Sequence, residues 1–162
     1  MKIKYLILLT LSGFVVSLDQ VTKLWVNSEL KLGTTASFIE GFLSITLQRN
    51  TAGVFAIFQN LDPHIRTLFF LLVPFISIVG ILCAFIFLKN LSQLFYCGLA
   101  LIAGGALGNL LDRLRFNSVI GFLEFHWLPR RHPLNLADIF LIVGGLILIF
   151  CISFSHIREE KT

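Results

Sequence analysis

Leu94-Phe95-Tyr96-Cys97-Gly98-Leu99-Ala100-Leu101-Ile102-Ala103-Gly104-Gly105-Ala106-Leu107-Gly108-Asn109-Leu110-Leu111-Asp112-Arg113-Leu114 carries its only charges, Asp112 and Arg113, near its C-terminal end. An apolar run of this length matches a helix crossing a hydrocarbon layer about 30 Å thick. Working outward, residues 5–26, 65–88 and 136–154 form three further apolar runs. Composition agrees: 56% of the 162 residues are hydrophobic and only 14% are charged, where soluble domains average about 25% charged. Mean hydropathy is +0.87. So few charges cannot cover a water-facing surface. The expected class is an all-α membrane protein of four transmembrane helices, forming one integral domain over residues 1–162.

The net charge of +4 comes from scattered Lys and Arg, which excludes a nucleic-acid footprint. Cys83, Cys97 and Cys151 lie inside apolar runs without metal-site spacing, so they read as small buried hydrophobes. Residues 89–93 join spans two and three tightly, making them an antiparallel pair. The longer connections, 27–64 and 117–135, emerge together on the opposite side. Lys2 and Lys4 before the first span place both termini in the cytoplasm, because the first helix usually sets orientation. The raw charge bias runs the other way. Lys2, Lys4, Lys89, Arg158 and Lys161 lie on the terminal side, against the remaining eight of the 13 cations on the other.

Leu43, Ile45 and Leu47 alternate with Ser44, Thr46 and Gln48, the period of a half-buried strand. Glu40-Gly41 is placed for a hairpin turn. The stretch 119–125 is also strand-like, and His126 and Trp127 after it suit the headgroup level. These segments predict a small β platform on the outer leaflet.

The acids then fall at one depth. Asp19 lies about 22 Å along span one, at 1.5 Å per residue. Asn109, Asp112 and Arg113 end span three, and Asn135 and Asp138 begin span four. Ionisable groups inside spans are costly and by default mark function. Asp19 and Lys23 share a helix face, as an ion pair or as a charged contact for substrate. Gly104 and Gly108 form a small-xxx-small pattern suited to close helix packing. Asn109 and Asp112 share a face, with Arg113 beside them to pair with Asp112. Asn135 suits an N-cap, with Asp138 three residues inside the helix. Two nearby carboxylates in a low-dielectric site cannot both ionise easily, so one activates water while the other polarises a carbonyl.

Asp19-Gln20-x-Thr22-Lys23, Arg49-Asn50, Gly104-Gly105-Ala106-Leu107-Gly108-Asn109-x-x-Asp112-Arg113 and Asn135-x-Ala137-Asp138 occur in that order. Across residues 5 to 155 the chain resembles lipoprotein signal peptidase, the bacterial signal peptidase II. The resemblance implies a multi-pass protein of the bacterial inner membrane with four helices, a periplasmic β cradle and an aspartate dyad. It also implies an aspartic endopeptidase that removes the signal peptide before the diacylglyceryl-modified cysteine of prolipoproteins. Asp138 matches one catalytic aspartate. Asp19, Lys23, Asn50, Asn109, Arg113 and Asn135 are expected to bind substrate or position the dyad. The implied partners are lipid-modified prolipoprotein and membrane lipids, with no cofactor or metal, and a monomer is expected.

Two departures stand out. The family's Asn-x-Gly-Ala-Ala-Phe reads Asn50-Thr51-Ala52-Gly53-Val54-Phe55, with glycine one place late. The family's other catalytic aspartate falls at Gly121. Asp112 or Glu124 is the candidate replacement, although Glu124, three residues on along a strand, faces the other side. The rival readings are a catalytically impaired pseudo-peptidase that binds prolipoproteins or signal peptides, and a small membrane transporter. Against the transporter, no acid lies in the inner half of a span.

Overall fold

The computed structural model describes residues 2–50, 62–89, 91–127 and 133–159. Four helices, α1 (Lys2–Glu29), α2 (Pro63–Phe87), α3 (Gln93–Phe116) and α4 (Leu136–Glu159), are joined by three strands. The strands are β1 (Thr35–Ile39), β2 (Leu43–Asn50) and β3 (Val119–Phe125). All four helices are long and apolar enough to cross a membrane. The family stretch 51–55 and the cations Arg130 and Arg131 lie outside the described residues.

Local chemistry sets the helix ends. Asp62 accepts from the His64 and Ile65 amides at 2.8 and 3.4 Å, with Pro63 opening α2. Ser92 caps α3 by accepting from Phe95 N at 3.1 Å. Asn117, in the left-handed region at φ 52°, closes α3 by donating its amide to Arg113 O. Only Ser118 then separates α3 from β3, which draws the end of α3 against the sheet.

Helix α3 is the axis of the bundle. Two-thirds (67%) of its spanning window is buried, against 11% for each of the others. Its glycines allow this. A Cβ at Gly104 would stand 2.7 Å from Val15 Cβ on α1. One at Gly105 would stand 2.6 Å from Ala137 O on α4. Close packing of this kind holds helices together where lipid removes the hydrophobic drive. Leu9, Phe14, Leu72, Phe75, Leu146 and Ile149 point outward, an apolar surface expected where hydrocarbon is the solvent. Cys83 is exposed too, and Cys97 and Cys151 are half-buried. The expectation of three buried cysteines is thus corrected, because an apolar run in lipid need not face inward.

The sheet runs β1-β2-β3, antiparallel throughout. Phe42 N donates to Ile39 O at 3.1 Å across the Glu40-Gly41 turn, where Gly41 takes φ +70°. The alternation in β2 does not sort as expected. Ser44 and Thr46 are buried along with Leu47, while Leu43 and Ile45 are half-buried. Each buried hydroxyl has a partner: Ser44 Oγ lies 2.8 Å from His126 Nε2, and Thr46 donates to Thr34 O at 3.0 Å. A register shift between Ile45 and Gln48 also breaks the period. Val26, Leu47, Ile120 and Phe122 pin the sheet to the bundle.

Candidate active site

Helix packing brings Asp19, Asn109, Asp112, Asn135 and Asp138 into one hydrogen-bonded network around Lys23. Lys23 Nζ lies 2.7 Å from Asp19 Oδ2, 2.9 Å from Asp112 Oδ2 and 3.3 Å from Asn109 Oδ1. Asp19 Oδ1 accepts from the Ala137 amide at 3.0 Å, fastening α1 to the first turn of α4. Asp112 accepts from Gln20 Nε2 at 3.0 Å and from the Ile120 amide at 3.1 Å, fastening α3 to β3. Two carboxylates and one ammonium are thereby removed from solvent with their hydrogen bonds made, the condition under which buried charge is tolerated.

Asn109 is the relay between this ion cluster and Asp138. Its Oδ1 accepts from Asn135 Nδ2 at 3.0 Å, and its Nδ2 donates to Asp138 Oδ1 at 2.8 Å. Asn135 and Asp138 form a reciprocal cap. Asp138 N donates to Asn135 Oδ1 at 2.9 Å, and Asn135 N to Asp138 Oδ2 at 3.2 Å. Asn135 Nδ2 also donates to Ile120 O at 3.0 Å, tying the start of α4 to β3. Asp19 and Asp112 are 0% and 1% exposed, whereas Asp138 is only half-buried. Among these three aspartates, Asp138 alone can meet an incoming molecule.

The other expected residues separate by depth. Asp19 and Lys23, expected either as an ion pair or as a charged contact for substrate, are buried and make the ion pair, with bonds from them to α3 and α4. Asp112 pairs with Lys23 rather than with Arg113. Arg113 instead donates to Asn109 O at 3.4 Å and lies 5.1 Å from the Phe70 ring centroid. It lines a cavity that Asn50 also lines. Glu124 stands opposite Ser44 on β2, away from the aspartates in register. Among the described residues it makes no hydrogen bond to the network. Neither Asp112 nor Glu124 is hydrogen-bonded to Asp138.

Gly121 is not a vacant slot. A Cβ there would fall against the Pro133 carbonyl oxygen and 3.0 Å from the carbonyl carbon. Phe122 and Leu123 both donate their amides to Leu134 O at 2.8 Å, so this segment is stitched directly to β3. The motif reading, which puts the family's other catalytic aspartate at Gly121, did not foresee the backbone packed against that position. It also missed that a Cβ on Gly108 would stand 2.7 Å from Asp19 Oδ2. Gly108 is a packing position and also the floor of the ion cluster.

The sequence profile described as Signal peptidase (SPase) II matches residues 11–154. The chain belongs to the signal peptidase II family. The lipoprotein signal peptidase of Geobacter metallireducens is 33% identical over 162 residues, covering 99% of this chain and 96% of its own. That of Geobacter sulfurreducens is 37% identical over 145 residues, covering 89% and 87%. A solved bacterial membrane enzyme superposes with a TM-score of 0.80 at 27% identity, covering 94% of this chain and 93% of the other. A second gives 0.81 at 26% identity over all of this chain and 93% of the other. Signal peptidase II is an aspartic peptidase family.

Proposed function

We propose that the chain removes the signal peptide from diacylglyceryl-modified prolipoproteins, cutting before the lipidated cysteine, with Asp138 as its catalytic carboxylate. The observation that carries this is the half-exposure of Asp138, held from one side by Asn109 and from the other by Asn135. The Asp138 carboxylate takes a proton from water. The water oxygen attacks the carbonyl preceding the cysteine, the C–N bond breaks, and the same proton goes to the leaving amine. Asn109 and Asn135 orient Asp138. Asn50 and Arg113, lining the adjacent cavity, hold the substrate backbone. Asp19, Lys23 and Asp112 are positioning residues that act through Asn109 and the helix contacts. No side chain at 121 shares the proton work, so turnover runs about 10²–10⁴-fold below a two-carboxylate relative.

We infer from the Lys2/Lys4 start that the termini are cytoplasmic and the sheet and site periplasmic, in a protein that works as a monomer in the bacterial inner membrane. The decisive assay is cleavage of one lipidated prolipoprotein in proteoliposomes, with and without Asp138→Asn. The substitution keeps one accepting oxygen and removes the ionisable group, so cleavage falls to background while stability drops by only about 1–3 kcal/mol for the one acceptor lost, with the protein still folded. Unchanged turnover, or wild-type protein that binds the prolipoprotein without cutting it, overturns the reading. In a cysteine-free background, Lys31→Cys labels from the periplasm and Lys89→Cys does not; equal labelling sinks the orientation.

A further inference from the structure

Lys23 is not the only donor that the two buried carboxylates share. Gln20 Nε2 lies 3.0 Å from Asp112 Oδ1, 3.2 Å from Asp19 Oδ2 and 3.2 Å from Gly108 O. Its two N–H groups are thus divided among three acceptors, all within the cluster, which leaves none for substrate. Among the described residues Gln20 is the one donor to Asp112 Oδ1, since Lys23 and the Ile120 amide both meet Oδ2. A carboxylate oxygen buried beside a second carboxylate keeps its place only while a donor faces it.

Arg115 keeps the carboxamide facing inward. Its Nη1 donates to Gln20 Oε1 at 3.2 Å, from an exposed side chain in the last turn of α3. Turned over, the carboxamide would set its oxygen against two carboxylates and its N–H groups against a guanidinium, so the network admits one orientation. Both carboxylates that Gln20 serves are tied to the ground on which Asp138 stands. Asp19 Oδ1 accepts from the Ala137 amide, next to Asp138 in the chain. Asp112 accepts from Ile120 N, and Ile120 O accepts in turn from Asn135, the capping partner of Asp138. A neutral side chain on α1 therefore reaches the start of α4 by two routes, and an exposed cation holds it in place.

We propose that Gln20 is a positioning residue for Asp138, and that Arg115 acts through Gln20 by setting which way its carboxamide faces. The proposal rests on the peptidase reading and extends it to two residues. The test is steady-state cleavage of lipidated prolipoprotein in proteoliposomes by full-length wild type, Gln20→Met, Gln20→Glu, Arg115→Met, Arg115→Lys and the double variant Gln20→Met/Arg115→Met. Gln20→Met lowers kcat by about 10- to 100-fold through misplacement of the Asp138 carboxylate, and KM is unchanged. Arg115→Met lowers kcat severalfold, and Arg115→Lys restores most of it. Arg115→Met adds nothing in the Gln20→Met background, because its effect passes through Gln20. Gln20→Glu keeps the size and the bond to Arg115 on α3, but it meets Asp19 and Lys23 on α1 and Asp112 on α3 without the N–H groups. The new carboxyl donates only when protonated, so its rate relative to wild type rises as pH falls. A raised KM at constant kcat would make Gln20 a substrate contact. A Gln20→Glu ratio that is flat across pH, or additive losses in the double variant, would reduce the pair to packing. Each of these overturns the proposal. If Gln20→Met does not fold, the Arg115 variants decide: wild-type kcat in Arg115→Met, or no recovery in Arg115→Lys, overturns it. Wild type that does not cut overturns the peptidase reading and this proposal with it. Wild type that cuts, with Gln20 variants at the same rate, overturns this proposal alone.

Discussion

The two ends of the bundle each bring a lysine into apolar surroundings, and they treat it differently. At the terminal end Lys4 donates to Phe85 O and Leu88 O, with its ammonium 5.1 Å from the Tyr5 ring centroid and 5.6 Å from that of Tyr96. Tyr96 adds its hydroxyl to Leu88 O at 3.0 Å. That closes the last turn of α2 with carbonyls and aromatic faces and, among the described residues, no counter-anion. At the sheet end Lys23 is 2% exposed between two carboxylates, and the network extends to Asp138. Closing a helix end needs only the first arrangement. The second costs the burial of three charges, which is the signature of a site rather than of a seal.

The largest way to sharpen that contrast is at Gly121. Gly121→Asp restores a carboxylate beside the network and raises prolipoprotein cleavage by about 10²–10⁴-fold. Its Cβ must displace the Pro133 backbone, so the thermal midpoint falls by the equivalent of about 1–3 kcal/mol. Gly121→Ala meets the same carbonyl and pays the same stability with no gain in rate. A gain in both variants would locate the effect in the backbone shift and not in the carboxylate.

Lys23→Met comes next. It leaves Asp19 and Asp112 buried without their cation, and removing one partner of a buried pair costs about 3–5 kcal/mol. Reversible unfolding in mixed micelles measures it. A loss under 1 kcal/mol would mean the two carboxylates are not held as the geometry requires.

Much of this was legible before any coordinates. Hydropathy marks the spans, and a fixed rise per residue brings Asp19, Asp112 and Asp138 to one level. What sequence could not supply is pairing at long separation. Ala137 N meets Asp19 across 118 positions, and no periodicity encodes that. Arg113 stands next to Asp112 in the chain, yet Lys23 from another helix takes the carboxylate, because a residue one place along a helix points to a different face. In β2 the alternation was real, but buried hydroxyls with partners inverted its meaning.

Gly108→Ala probes the floor of the ion cluster. The new methyl would stand 2.7 Å from Asp19 Oδ2, on a carboxylate already fixed by Lys23 and the Ala137 amide. Overpacking of this kind costs about 1–3 kcal/mol. Gly13→Ala, with nothing within 4 Å of its Cβ, is the matched control on the exposed face of α1, where alanine's better helix propensity raises stability by up to about 1 kcal/mol. An equal gain at Gly108 would mean that the floor of the cluster has room for the methyl.

The smallest effect is expected at the other end. Lys4→Met removes an ammonium that is half-exposed and, among the described residues, has no carboxylate paired with it. What is lost is a cation–π contact of about 0.5–1 kcal/mol at an exposed site, plus two bonds to carbonyls that water can replace at a helix terminus. The methionine stem keeps most of the apolar contact with Tyr96. Unfolding in mixed micelles should therefore register about 1 kcal/mol or less, and prolipoprotein cleavage should stay at the wild-type rate. A loss as large as that of Lys23→Met would erase the contrast between the ends. The terminal lysine would then be as integral to the fold as the buried one, and the polar network could not be set apart as the functional end on energetic grounds.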